Sequence, residues 1–108
     1  MEFTEYQNRA HKLARYPEKQ GLTYTALGLA GEAGEYADKV KKVIRDDGGN
    51  LSPEKRLELA KEAGDVLWYL QEVAGVLGYD LVELACMNLE KLEDRNRRNV
   101  LHGSGDNR

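Results

Sequence analysis

Residues 27 to 39 read LGLAGEAGEYADK, and the recurrence of their apolar positions decides the fold. Ala26, Leu29, Ala30, Ala33, Ala37, Val40 and Ile44 return at intervals of three and four. On a wheel of about 100° per residue they form one stripe, the expected core face of a helix. Gly28, Gly31 and Gly34 interrupt that helix, each at a cost of roughly 1 kcal/mol relative to alanine. Gly28, Glu32, Glu35 and Lys39 share another face. Helical side chains lean over the turn at i−4, so Gly28 lies under Glu32 and Gly31 under Glu35. We read these two glycines as clearance for carboxylates that hold something. Gly34, four before Asp38, has no such explanation.

The same period continues on both sides. Residues 3 to 15 read as a short amphipathic helix, followed by the polar loop YPEKQG at 16 to 21. The second helix starts near Thr23 or Thr25 and runs to about Arg45, where DDGGN breaks it. Ser52 as N-cap with Pro53 at the first helical position opens a third helix to about Val76, and Gly78 ends it. Asp80 with Glu83 forms a capping box for a fourth helix reaching about Arg97. Nothing recurs at two, so no strand is expected. The expected architecture is all-α: an antiparallel bundle of about four helices in a single domain, residues 1–108, with an irregular tail at 99–108 and burial completed by oligomerisation.

Bulk properties narrow the function. The chain has 108 residues, a size at which association often completes the burial of apolar surface. Its net charge of −3 gives no basic field for polymeric nucleic acid. No apolar run is long enough to span a membrane and the N-terminus lacks a secretory h-region. One cysteine, Cys86, cannot form an internal disulfide and reads as a small core residue of a reduced, cytoplasmic protein.

Helix three carries a core stripe of Leu59, Ala63, Val66, Leu67, Leu70, Val73, Ala74 and Leu77. Beside it runs a second stripe of Glu58, Glu62, Asp65, Tyr69 and Glu72. The short DDGGNLS connection implies antiparallel packing of helices two and three, so Glu32 and Glu35 can face Glu62 and Asp65. Crowded carboxylates need cations. Oxygen ligands without nearby Cys or His favour Mg²⁺ or Mn²⁺ over Zn²⁺. Ordinary solvated helix faces are the competing reading, and the wheels alone leave both open. On helix four, Asn88 falls within the apolar stripe of Leu81, Leu84, Ala85 and Leu92, with Lys91 and Arg95 along its edge. Either Asn88 makes an interhelical hydrogen bond, or all three point toward the acids and hold an anion. His11 and His102 have no partners at metal-ligand spacing and read as incidental. Trp68 and Tyr36 read as packing residues.

Glu32-x-x-Glu35 followed by Glu62-x-x-Asp65 resembles the ExxE…ExxD signature of the MazG-like all-α nucleotide pyrophosphohydrolases. LGLAGEAGE and KEAGDVLWYL resemble the metal-binding helices of that family and NLEKLEDR the helix that follows. The ending GSGDNR is similar to that of short bacterial and phage members. The likeness covers residues 6 to 108. It implies Mg²⁺-dependent hydrolysis of a nucleoside triphosphate between the α and β phosphates, yielding monophosphate and pyrophosphate for nucleotide-pool housekeeping. It further implies Glu32, Glu35, Glu62 and Asp65 as metal ligands and catalytic carboxylates, Tyr69 at the sugar or base, and Asn88, Lys91 and Arg95 near the ligand, in a homodimer or homotetramer. Lys39 joins Lys91 and Arg95 as a cation able to stabilise the departing pyrophosphate. The tail HGSGDNR either frays or folds over a neighbouring subunit's ligand. The alternative function is a catalytically weak, metal-dependent nucleotide-binding or interaction subunit of the same fold. A di-iron bundle would need ExxH pairs, and Glu35 and Asp65 stand where the histidines would be.

Overall fold

The computed structural model describes residues 1–106. Four α-helices are present among them: α1 (Phe3–His11), α2 (Gly21–Asp47), α3 (Pro53–Val76) and α4 (Leu81–Arg97), with a 3₁₀ turn at Glu18–Gln20 leading into α2. No strand occurs among the described residues. α1 ends at His11, earlier than the amphipathic pattern to residue 15 predicts.

Capping follows the sequence closely. The Ser52 hydroxyl accepts from the Lys55 amide and Pro53 occupies the first turn of α3. Asp80 accepts from the Glu83 amide while the Glu83 side chain accepts from the Asp80 amide, closing the predicted capping box. Gly48 and Gly49 take left-handed conformations after α2, with φ of 61° and 82°, which a side chain would oppose.

α2 and α3 form a long antiparallel hairpin that contains most of the packing. α1 lies against α3 and α4, tied by Gln7 Nε2 donating to the Gln71 carbonyl, Gln7 Oε1 accepting from the Leu81 amide and Trp68 Nε1 donating to the Ala10 carbonyl. α4 meets α1 and α3 and does not come alongside α2. The radius of gyration is 16.7 Å, against roughly 13 Å for a compact chain of about this length.

The open shape overturns the expected core on α2, where only Leu29 and Val40 of the predicted stripe are half-buried. In the predicted stripes of the other two long helices, Leu59, Val66, Leu67, Leu70, Val73 and Ala74 of α3 and Leu81, Leu84, Ala85 and Leu92 of α4 are buried or half-buried. Among the described residues only Ala10, Val43, Ala74 and Leu81 are buried hydrophobics. Ala26, Ala30, Ala33 and Ala37 are exposed, and Ile44 is 67% exposed. The seam of α2 against α3 is instead Gly21, Thr25, Gly28, Glu32, Lys39 and Val43, each buried or half-buried. The polar-looking face of α2 is therefore the inner one, and the alanine stripe is left bare. Cys86 is likewise exposed.

Candidate active site

Because the inner seam carries Glu32 on α2 and Glu62 and Asp65 on α3, the hairpin places three carboxylates together. One oxygen of each lies within 4.8 Å of the others. Glu35 is exposed, one turn beyond Glu32 and outside this trio. Burial, followed by the charges of Asp65, Glu62 and Glu35, pushes the Glu32 carboxyl above its usual range. Lys39 Nζ lies 2.8 Å from Glu62 Oε1, and that bond chiefly raises the lysine's proton affinity. Lys39 is thus placed as a partner of the acid cluster. Among the described residues no donor reaches Glu32 or Asp65, so two of the three carboxylates have unfilled oxygens, the donor set that hard divalent cations take.

Gly28 has a different purpose from the predicted one. A Cβ built there would sit 2.0 Å from Cε1 of Tyr69. The bare backbone makes room for that ring, which packs across the seam one turn beyond Asp65. Nothing lies within 4 Å of a Cβ at Gly31 or Gly34, so neither clears space for a group of this chain. Burial first, then Tyr24, Glu32 and Asp65, raises the Tyr69 hydroxyl pKa. Tyr69 therefore links the acids to a second group of aromatic rings. Its centroid is 6.5 Å from that of Tyr24, which stacks on Tyr16 at 4.8 Å and 21°.

The sequence matches the MazG nucleotide pyrophosphohydrolase domain over residues 20–100, a span that holds the whole hairpin and α4. The chain belongs to the MazG nucleotide pyrophosphohydrolase family. It is 45% identical over 109 residues to the Gene 37 protein of Mycobacterium phage L5, covering 95% of this chain and 96% of that protein. No solved structure matches it.

The residues that the family likeness assigns to α4 lie apart from the MazG acids of the same chain. Asn88 is exposed and not a buried amide of the apolar stripe. Lys91 Nζ is 3.1 Å from Asp106 Oδ1. Arg95, only 4% exposed, donates to the carbonyl of Asp106 at 2.7 Å and approaches its carboxylate at 3.3 Å. These two cations hold the Asp106 carboxyl below its ordinary range. The tail through Asp106 thus folds back on its own α4. Asn107 and Arg108, the end of GSGDNR, lie outside the described residues.

A further cluster escaped the sequence reading. Glu72 is 2% exposed. Its carboxylate accepts from His11 Nδ1 at 3.0 Å, from Gln71 Nε2 at 2.8 Å and from the Tyr16 hydroxyl. His11 is therefore not incidental. Gln71 Oε1 is buried without a donor among the described residues. Burial and the bond to Glu72 push the Tyr16 pKa up to about 12. The signal was present in Glu72, on the same stripe as Glu62 and Asp65, but two of its partners, Tyr16 and His11, come from 56 and 61 positions away, which no wheel brings together.

Proposed function

We propose that this MazG-family chain hydrolyses nucleoside triphosphates at the α–β phosphoanhydride, releasing the nucleoside monophosphate and pyrophosphate. The observation that carries the reading is the convergence of Glu32, Glu62 and Asp65, with oxygens within 4.8 Å and two carboxylates without internal donors. These residues fit a divalent cation, Mg²⁺ first and Mn²⁺ as substitute, which would neutralise charge on the phosphate oxygens. The neighbouring carboxylates, Glu35 included, orient water in line with phosphorus and accept its proton. The water oxygen bonds to phosphorus as the bridging P–O bond breaks, and pyrophosphate leaves with the electron pair. Tyr69, over Gly28, flanks the nucleoside side of the acids.

We further infer that the site works in an oligomer. The bare stripe of Ala26, Ala30, Ala33, Ala37 and Ile44 lets another helix approach closely, and the small buried core supports its cover by a second copy. In that assembly the exposed Asn88 and Lys91 would serve a neighbour's phosphates, since they do not reach the acids of their own chain, and Arg95 would join them only on giving up its bonds to Asp106. No helix is long and apolar enough to cross a membrane. A cytoplasmic setting, where nucleoside triphosphates and Mg²⁺ are abundant, suits this activity.

The test is incubation of the protein with canonical and modified nucleoside triphosphates plus Mg²⁺, with pyrophosphate as the readout. Release of pyrophosphate that stops on Asp65→Asn supports the proposal. Nucleotide binding without turnover of any substrate, and with Glu35→Gln altering only affinity, would assign the chain to the binding-subunit alternative.

A further inference from the structure

The cavity between the α1–α2 connection and the end of α3 has a volume near 620 Å³ and is lined by His11, Tyr16, Glu18, Gly21 and Val76, among others. It lies at the far end of the stripe that begins with the acids. From Asp65 to Glu72 the helix rises about 10 Å, and the rings of Tyr69, Tyr24 and Tyr16 form a continuous row along that path.

At its end stands a carboxylate that the fold would be simpler without. Burying an ionised Glu is costly, and a well-packed hydrophobe in its place is often as stable or more so. In return, Glu72 fixes two side chains that α-helical packing does not. Tyr16 belongs to the polar connection after α1, and His11 is the last residue of α1. Both aim a donor at the same carboxylate, and the Tyr16 ring is thereby held nearly parallel to Tyr24. A ring on the wall of a cavity, Tyr16, held from behind by its stack on Tyr24 and with polar His11 and Glu18 beside it, suits a flat heteroaromatic group.

We propose that Glu72 is a positioning residue, which presents Tyr16 and His11 as the wall of a cavity that takes the base of a nucleotide whose phosphates lie at Glu32, Glu62 and Asp65. This rests on the pyrophosphohydrolase reading for the phosphates, but the recognition of the base is separable from turnover.

The experiment compares a nucleoside triphosphate with inorganic tripolyphosphate, which has no base. Each is titrated calorimetrically into wild type, Glu72→Leu, Glu72→Gln and Tyr16→Phe in the presence of Ca²⁺, and KM and kcat are measured with Mg²⁺. Glu72→Leu should weaken nucleotide affinity and raise KM about tenfold with kcat within about twofold, tripolyphosphate binding being unaltered. Glu72→Gln, which can still accept from Tyr16, should recover most of the affinity. Tyr16→Phe, which keeps the ring and loses the tether, should weaken the nucleotide about threefold and serves if Glu72→Leu does not fold. Equal losses for both ligands, or unchanged nucleotide affinity in Tyr16→Phe and Glu72→Leu, would overturn the proposal. Absence of turnover in wild type would sink the pyrophosphohydrolase reading alone, because the selective loss of nucleotide binding would still report on the wall.

Discussion

The stripe along α3 treats its carboxylates in two opposite ways. At one end Asp65 is exposed and, with Glu32, lacks any donor among the described residues. At the other end Glu72 is buried and accepts from His11, Gln71 and Tyr16. The difference teaches how to sort acids of identical spacing. A carboxylate whose oxygens are filled by the fold is part of the architecture, whereas a group of them left unfilled is repulsive until something cationic arrives.

Substitution at the two ends should therefore have opposite profiles. Asp65→Asn should lower pyrophosphate release by on the order of a hundredfold or more, while the thermal midpoint stays or rises because like-charge repulsion is relieved. Glu72→Ala should do the reverse in stability, losing about 1–3 kcal/mol in urea unfolding as the buried Gln71 amide, together with the more exposed Tyr16 and His11, loses its acceptor. If Asp65→Asn destabilises as much as Glu72→Ala, the distinction between the two ends is wrong.

The glycines of α2 sharpen the same contrast on the facing helix. Gly28→Ala sets a Cβ 2.0 Å from the Tyr69 ring, so the ring must move. A net loss of about 1–3 kcal/mol is expected despite the gain in helix propensity, together with weaker nucleotide binding. Gly31→Ala meets nothing within 4 Å and should stabilise the helix by about 0.5–1 kcal/mol. Should Gly31→Ala instead dissociate an oligomer in sedimentation measurements, the glycine is reserved for close approach of a neighbouring copy.

The elements were legible because their determinants are local: the period of three and four, Ser52-Pro53, the Asp80–Glu83 box and the glycines after α2. The acids were legible because the hairpin is short-looped and antiparallel, so Glu32 and the Glu62–Asp65 pair had to meet. What the wheel misjudged was which face of α2 turns inward. Hydrophobicity assigned the alanine stripe to the core, yet the seam uses Gly28 and Thr25, because a tyrosine ring needs bare backbone and a threonine hydroxyl can satisfy itself on the Gly21 carbonyl 2.7 Å away. The partner of Arg95 was not legible for a related reason: this buried cation is met by Asp106 of a tail that no periodicity describes.

The smallest effect, and the most specific to the buried end, is expected in alkali. An unfolded tyrosine ionises near pH 10, but Tyr16 in the fold is raised to about 12 by burial and by its bond to Glu72. The native state therefore keeps that proton where the unfolded state loses it. Its contribution to stability is complete below pH 10 and declines as the pH climbs toward 12. A spectrophotometric titration should show one tyrosine ionising after the others in wild type, and Glu72→Gln should bring it to lower pH by removing the facing negative charge. Asp65→Asn should leave the Tyr16 step in place, because the charge that holds it belongs to the filled end of α3 and not to the open one.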